Sequence, residues 1–306
     1  MTAQLDATYT VELAPQVHAF IQPDGSWWLN NAGFVGTAAD TVLIDTAATE
    51  ARTRGLMAAM TATMGSAPTV RTIVNTHHHG DHTFGNCLFP NATVVAHRHC
   101  RQEALEYGDP PVLTSWRQID WGEVKCVAPH LIFDQSIELI AGDTTLQVMH
   151  VGQRAHTAGD VIVWIPQHRV LFTGDLLFHG GTPFVLSGSV AGSIAVLRTV
   201  LAPLGAATVV AGHGPVATAE LIDDTVEYLQ FVQRLSQQGL RAGLTPLQAA
   251  DRADLGRFAS WLDPERIVGN LHRGYHEVSH GAVGFDETRA LADMVALNGG
   301  PLTTHA

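Results

Sequence analysis

The stretch Thr-His-His-His-Gly-Asp-His (76–82) sets four histidines and an aspartate almost side by side. Side chains two residues apart on extended backbone point the same way, so His77 and His79 can hold one metal ion. The glycine lets the chain turn, after which Asp81 and His82 can face a second ion. The stretch therefore predicts a metal site with room for more than one ion.

Further donors stand downstream, each where an apolar run passes into a turn. They are His156 in Arg-Ala-His-Thr-Ala-Gly-Asp (154–160), Asp175 in Thr-Gly-Asp (173–175) and His213 in Gly-His-Gly-Pro (212–215). Strands are predicted just before them at 144–151, 169–172 and 208–211, and before the first stretch at 70–75. Ligands on loops held by a rigid sheet are a common way to build a site.

If Asp175 is shared, these seven donors suffice for two adjacent metal ions. Imidazole and carboxylate donors without a thiolate suit zinc, with manganese or iron as alternatives. Two neighbouring metals can activate a water and polarise a carbonyl. The competing interpretation is that a chain with 17 histidines holds some in a row by chance or as an adventitious clip. The ordered downstream donors argue against it.

In this order the donors resemble the metal-binding motif of the metallo-β-lactamase-fold hydrolases, over about residues 10–215. The resemblance implies an α/β fold, an αββα sandwich with the metals at one edge of its two sheets. It also implies two Zn²⁺ ions. The first would be held by His77, His79 and His156, the second by Asp81, His82 and His213, and Asp175 would bridge them.

Two positions limit which members of the superfamily the chain resembles. Position 79 is His, not the Glu of the diiron redox members, which favours hydrolysis over oxygen reduction. Position 175 is Asp, where many true β-lactamases have Cys, so antibiotic hydrolysis is not the leading expectation.

The composition sets limits on the protein class. A chain of 306 residues that is 46% hydrophobic can bury a large core. A net charge of -12 argues against a nucleic-acid partner, which requires a basic surface. The first residues show no signal-peptide pattern, and no apolar run approaches membrane-spanning length. The cysteines Cys87, Cys100 and Cys126 form no Cys-x-x-Cys, so we expect a cytoplasmic protein without a membrane partner.

The pattern along the chain predicts two parts. Residues 1–217 would form the catalytic domain, with helices at 47–64, 98–107 and 192–204 among its strands. Residues 218–306 keep a helical period and predict a helical extension. This extension could pack on the core, close the pocket or make a homo-oligomer. Residues 108–130 read as an irregular insertion and a candidate lid.

Substrate and supporting residues are predicted from their nearness to the site loops. The substrate-pocket candidates are Trp28, Phe34, His179 and Phe184, which would suit a flat or extended apolar substrate. Asp45 and Asp160 are candidate acceptors for the N–H groups of ligand imidazoles, with an ordinary strand-end or turn carboxylate as the alternative for each. Asp81 is the candidate catalytic residue, relaying a proton in addition to binding metal.

Several segments resemble the bifunctional cyclase/thioesterases of bacterial aromatic (type II) polyketide pathways, of the actinorhodin second-ring type. These segments lie at 48–54, 120–123, 182–184 with 188–192, 245–250, 270–273 and 298–300. The resemblance implies a polyketide bound to an acyl carrier protein as substrate. It also implies an intramolecular aldol ring closure followed by hydrolysis of the thioester. A carrier would need a local basic patch, for which Arg98, Arg101, Arg117 and Arg154 are candidates.

Two other functions stay open. One is a broader hydrolase of the same fold, a lactonase or a small thioester or ester hydrolase. The other is a non-catalytic protein that binds metal or polyketide, against which the complete donor set argues. The identity of the metal, the ring closed, the substrate length and the oligomeric state do not follow from the sequence.

Overall fold

The strands form two mixed sheets. A computed structural model describes residues 8–112 and 114–306. The first sheet holds, in spatial order, β1 (Tyr9–Ala14), β2 (Val17–Ile21), β3 (Ala32–Thr37), β4 (Asp40–Ile44), β5 (Val70–Val74), β6 (Thr93–His97) and β7 (Leu131–Phe133). The second holds β8 (Ser136–Ala141), β9 (Thr144–His150), β10 (Val161–Ile165), β11 (Val170–Phe172) and β12 (Thr208–Val210). β4 to β7 run parallel, as do β11 and β12.

The two sheets pack face to face through alternating side chains. On β10, Val161, Val163 and Ile165 join a buried cluster with residues of the first sheet such as Val35 and Val74. Ile162 and Trp164, one register step away, belong to a different cluster on the opposite face. Every residue of β10 is buried, so this strand reads as a continuous apolar run.

Helices cover both outer faces. The helices are α1 (Glu50–Met64), α2 (Gly80–Thr83), α3 (Arg98–Tyr107), α4 (Val190–Val196), α5 (Glu220–Arg241), α6 (Pro246–Asp251), α7 (Arg266–Val278) and α8 (Glu287–Leu297). Leu56 and Met60 of α1 pack on the first sheet. α4, α5 and α7 share a hydrophobic cluster with the outer face of the second sheet. The predicted αββα sandwich with a C-terminal helical extension is confirmed.

Capping residues set where two predicted helices begin. α1 begins at Glu50, three residues after the predicted start, because the Thr49 side chain accepts a hydrogen bond from the Arg52 N–H. α4 begins at Val190, two residues before the predicted start, because Ser189 caps it in the same way. The helix then continues as a π-helical turn at Leu197–Leu201 and a 3₁₀ turn at Ala202–Leu204.

The predicted insertion at 108–130 contains no helix or strand in its described residues, 108–112 and 114–130. Its Trp116 forms a parallel bridge with Leu302 near the C-terminus. Among residues 8–112 and 114–306, no helix combines the length and apolar character needed to cross a membrane. The boundary between domain and extension at 217 stays a prediction, as does the role of the insertion as a lid.

Candidate metal centre

All seven predicted ligands meet at one edge of the sandwich. His77 and His79 follow β5, and Asp81 and His82 lie on α2 just beyond them. The other three, His156, Asp175 and His213, follow β9, β11 and β12. In the second sheet β9, β11 and β12 run in the same direction, so the loops that follow them leave from one end of that sheet, where their donors meet those that follow β5.

The first set of donors is His77, His79, His156 and Asp175, whose ligand atoms all lie within 4.8 Å of one another. The Nε2 atom of His156 is 2.9 Å from Nδ1 of His79. The Oδ2 atom of Asp175 lies 3.4 Å from Nε2 of His156 and 3.9 Å from Nε2 of His77.

The second set is Asp81, His82 and His213. Here the other Asp175 oxygen, Oδ1, lies 3.0 Å from Nε2 of His82 and 3.5 Å from Nε2 of His213. Oδ2 of Asp81 is 3.3 Å from the same His213 atom. One oxygen of Asp175 therefore faces each set, which is the arrangement a bridging carboxylate requires.

Unpartnered buried atoms show that the donors fit metal ions. Nε2 of His77, Nε2 of His82 and Oδ1 of Asp175 are shielded from solvent. Although Nε2 of His82 and Oδ1 of Asp175 lie 3.0 Å apart, none of the three atoms forms a hydrogen bond of acceptable geometry within residues 8–112 and 114–306. Such atoms cost stability unless something binds them. Gly212 also keeps the floor of the site open, because a Cβ there would lie 1.9 Å from Oδ1 of Asp175. Imidazole and carboxylate donors in two clusters suit two divalent ions such as zinc.

Asp45 holds two of the imidazoles in a ligand tautomer. Its Oδ2 atom accepts from Nδ1 of His82 at 2.8 Å and from Oγ1 of Thr76 at 2.7 Å. Oγ1 of Thr76 in turn lies 3.1 Å from Nδ1 of His77. With protons on both Nδ1 atoms, the Nε2 lone pairs of His77 and His82 point into the site. The predicted supporting role of Asp45 is confirmed.

For Asp160 the structure supports the alternative interpretation, a turn carboxylate, and not the predicted contact with a ligand imidazole. Its carboxylate accepts from the backbone N–H groups of His156 and Thr157, both at 2.8 Å, and not from an imidazole. The Nδ1 atom of His156 instead lies 2.6 Å from the carbonyl oxygen of Phe184. A carboxylate three or four residues downstream closes a turn more readily than it reaches the ring.

The two sets differ in their protonation. Burial lowers the pKa of His156 to about 4 and also lowers the pKa of His77 and His79. Burial alone would lower the pKa of His213, but the carboxylates of Asp175 and Asp81 outweigh it and raise that pKa to about 9. Burial would also lower the pKa of His82, but the negative charges of neighbouring carboxylates, that of Asp175 above all, raise it. Without metal, the three histidines of the first set are neutral at pH 7, whereas His82 and His213 of the second set carry protons.

Metal binding by the second set is therefore expected to strengthen as the pH rises from 6 to 8. A cation there must displace the proton of His213, whose pKa is about 9. Each pH unit should raise the association constant about tenfold per proton displaced. The first set should vary little over this range, because the pKa of His156 is already about 4.

Calorimetry with buffered Zn²⁺ at pH 6, 7 and 8, in two buffers of different ionisation enthalpy, measures both affinities and counts the protons released. Equal pH dependence of the two binding events, or binding of both ions without proton release, would contradict this assignment.

A cavity of about 580 Å³ opens on the cluster. Its floor includes the ligands His79, Asp81, Asp175 and His213. Its walls are aromatic: Trp27, Trp28, Tyr107, Trp116, Phe178 and Phe184. α7 and α8 add Arg266, Arg273, Glu287 and Leu291. The C-terminal helical extension packs on the core and also closes one side of the cavity. Both were among the alternatives that the sequence left open.

Two of the four predicted pocket residues line this cavity, namely Trp28 and Phe184. Phe34 does not, because its position on β3 turns its ring away from the site. The ring is fully buried and stacks on that of His18, with the ring centroids 4.8 Å apart. His179 does not line it either, since Nδ1 of its ring lies 2.9 Å from the carbonyl oxygen of Pro215. These two pocket assignments are corrected.

The sequence analysis missed the residues that the extension brings to the site. Arg266, only 1% exposed, lies with its guanidinium 4.0 Å from the ring of Trp27 and 5.0 Å from that of Phe178. The neighbouring Glu265 accepts from Nε1 of Trp27 at 2.6 Å. An available signal was the helix start at 263–265, which sets an arginine in the first turn, but nothing local indicates which surface that helix meets.

Comparison with known proteins agrees with this geometry. The model of the family described as "Metallo-beta-lactamase superfamily" matches residues 25–213. A "Beta-lactamase-like protein 2 homolog" from Caenorhabditis elegans is 28% identical over 202 residues, which are 65% of this chain and 61% of that protein. A "Hydroxyacylglutathione hydrolase" from Synechococcus sp. (strain JA-3-3Ab) is 32% identical over 128 residues, 38% of each chain. This chain thus spans less than two thirds of either curated relative.

Solved structures support the fold. The "Metallo-beta-lactamase from Pontibacter korlensis" superposes with a TM-score of 0.59 at 21% identity, covering 73% of this chain and 99% of that one. The family match takes in more than half of the chain and includes every predicted metal ligand. We conclude that this chain belongs to the metallo-beta-lactamase superfamily.

Proposed function

We propose that this protein is a dinuclear metal-dependent hydrolase that cleaves thioesters or related esters with a bulky, apolar acyl group. The observation that carries the proposal is the position of the seven-donor cluster beneath an aromatic cavity, whose floor includes four of the donors. A volume of about 580 Å³ lies in the range that holds drug-sized ligands. The relatives named hydroxyacylglutathione hydrolase support the thioester class, because that name describes an acyl group joined to a thiol compound.

When bound, the metal ions supply a hydroxide nucleophile near neutral pH and an electrophile for the carbonyl oxygen. The side chains of the protein position the substrate, transfer protons and exclude bulk water from the site. Trp27 packs edge-on against Trp116 at 5.2 Å and against Phe184 at 5.0 Å. This wall would hold an apolar acyl group over the metal ligands and keep bulk water from it.

Asp81 is the residue we assign to proton transfer, in addition to its place in the second set. It lies on the cavity floor, and its Oδ2 atom is 3.3 Å from Nε2 of His213. A carboxylate in this position can take a proton from the attacking water and pass it on to the departing thiolate.

The more specific proposal is ring closure and thioester hydrolysis of an aromatic polyketide held on an acyl carrier protein. Its support is the resemblance of segments such as 188–192 and 245–250, together with the aromatic walls of the cavity. Both steps need stabilised negative charge on a carbonyl oxygen, so one metal site serves both. Of the arginines considered for carrier docking, Arg98 is paired with Asp134, whereas Arg154 lines the cavity.

The competing proposal is a lactonase or a small thioester or ester hydrolase. The comparisons support this broader class better than the polyketide activity, because the relatives named above include hydroxyacylglutathione hydrolase and proteins described as β-lactamases or β-lactamase-like.

A substrate panel separates these proposals. The metal-loaded protein would be tested on naphthoyl and acetyl thioesters of the same thiol, on simple lactones, and on an aryl β-keto thioester, before and after chelation. We expect chelator-sensitive thiol release with kcat/KM at least about tenfold higher for naphthoyl than for acetyl, since burying each additional CH₂-sized group contributes about 0.8 kcal/mol.

A cyclised product from the β-keto thioester would support the polyketide activity. Turnover of lactones alone would move the assignment to a lactonase. Absence of multiple turnover on every substrate of the panel would overturn the hydrolase proposal.

A further inference from the structure

A second cavity, of about 500 Å³, adjoins the one above the metal ligands. It is lined by polar side chains that include His99, Gln102, His150 and Gln153. No aromatic wall and no metal ligand belongs to it. Its chemistry is therefore the opposite of the aromatic cavity, and it suits an extended polar group that exchanges hydrogen bonds along its length.

Three residues belong to both cavities: Glu103, Glu106 and Arg154. Arg154 donates from Nη1 to the carbonyl oxygen of Ser187 at 2.6 Å, on the side of the aromatic cavity. Its Nη2 lies 3.8 Å from Oε1 of Glu103, too far for a hydrogen bond, and half of the side chain is exposed. Arg154 thus stands at the junction with donor capacity to spare.

We propose that the second cavity is a subsite for the leaving group, and that Arg154 is a specificity residue that binds a polar, amide-bearing thiol arm where it leaves the aromatic cavity. This inference rests on the proposed function, since it assigns the two halves of one thioester to the two cavities. The acyl group occupies the aromatic cavity, and the reacting carbonyl lies over the metal ligands. The arm passes Arg154, which donates to an amide oxygen.

The charges around the junction limit which kinds of thiol arm can bind there. Glu103 and Glu106 flank the arginine, so the two cavities share two carboxylates and one guanidinium. Neutral amides suit this balance better than a run of phosphates or carboxylates, which the glutamates would repel. We therefore use pantetheine, whose arm carries two neutral amides, as the probe.

The test compares one acyl group on two thiols. Naphthoyl-pantetheine and naphthoyl-ethanethiol would be turned over by the wild type, by Arg154→Gln and by Arg198→Gln. The last is a matched control, because Arg198 is exposed and lines neither cavity. We expect the wild type to favour the pantetheine ester by at least about tenfold in kcat/KM. Arg154→Gln should remove most of this preference, chiefly by raising KM for the pantetheine ester.

A binding measurement keeps this inference separate from the hydrolase proposal. The ligands are two uncleavable naphthoyl amides, one of ethylamine and one of the pantetheine analogue in which an amine replaces the thiol. Each would be titrated calorimetrically into metal-free protein. If no thioester is hydrolysed but Arg154→Gln still removes a preference for the long arm, the subsite stands and the hydrolase proposal fails. If thioesters are hydrolysed with equal kcat/KM for both thiols, or if wild type and Arg154→Gln discriminate alike, the subsite is overturned and the hydrolase proposal survives.

Discussion

Replacement of Asp175 by alanine is expected to lower kcat/KM by at least about a thousandfold and to remove tight binding of both metal ions. The reason is geometric, since Oδ2 faces His156 at 3.4 Å and Oδ1 faces His82 at 3.0 Å. Loss of this side chain takes a ligand atom from each set at once. Loss of a residue that merely supports a ligand typically costs 10–100-fold, so a shared ligand should cost more.

The fold should survive this change. Asp175 lies in a short 3₁₀ turn at the rim of the sheets, and its carboxylate contacts the other ligands and not the hydrophobic layers. Circular dichroism and thermal unfolding in chelator would check this. Asp143→Ala, in the exposed turn between β8 and β9, is the matched control and should keep both metal binding and turnover. An Asp175→Ala protein that keeps near-normal turnover would refute the shared-ligand assignment.

Replacement of Asp45 by asparagine is expected to weaken the second metal ion by about 10–100-fold and the first by much less. The carboxylate accepts directly from Nδ1 of His82, a ligand of the second set, but reaches His77 of the first set only through Thr76. In the carboxylate, Oδ2 accepts from His82 and from the Thr76 hydroxyl, while Oδ1 accepts from the backbone N–H of Thr76 at 2.8 Å. An amide has a single acceptor oxygen, so it cannot keep all three bonds, and its NH₂ group would face a donor. The tautomer of His82 would then no longer be fixed.

Asp45 is also held in an unusual backbone conformation, with φ +57°. This left-handed conformation costs a residue other than glycine about 1–2 kcal/mol. It is often found at functional sites, where a side chain must keep a particular orientation. Two-site metal titrations of Asp45→Asn would be set beside those of Asp40→Asn, whose side chain is half-exposed at the other end of the same strand. Equal weakening of both ions, or of neither, would count against the role given to Asp45.

The metal ligands were predictable because local rules govern them. His77 and His79 are two residues apart after a β-branched run, and Asp175 and His213 each follow an apolar run and flank a glycine. Strand ends of a sheet meet at one edge, so the pattern alone brings such residues together. Asp45 was predictable for the same reason, as the first polar residue after β4.

The cavity walls were only partly predictable because they depend on long-range packing. Trp27 and Arg266 are 239 positions apart, yet they stack at 4.0 Å. The helical period of the extension indicated which faces of its helices are apolar but not which surface they would meet. Phe34 illustrates the other difficulty, since alternation along β3 gives two faces and the sequence does not indicate which one lies nearer the metals.

The most direct test of the central claim, that the seven donors form one dinuclear centre, is elemental analysis of the wild type and Asp175→Ala after equilibration with Zn²⁺ and removal of free metal. The account predicts close to two ions per wild-type chain and fewer than one in the variant. One ion or none in the wild type, or two ions retained in the variant, would contradict it.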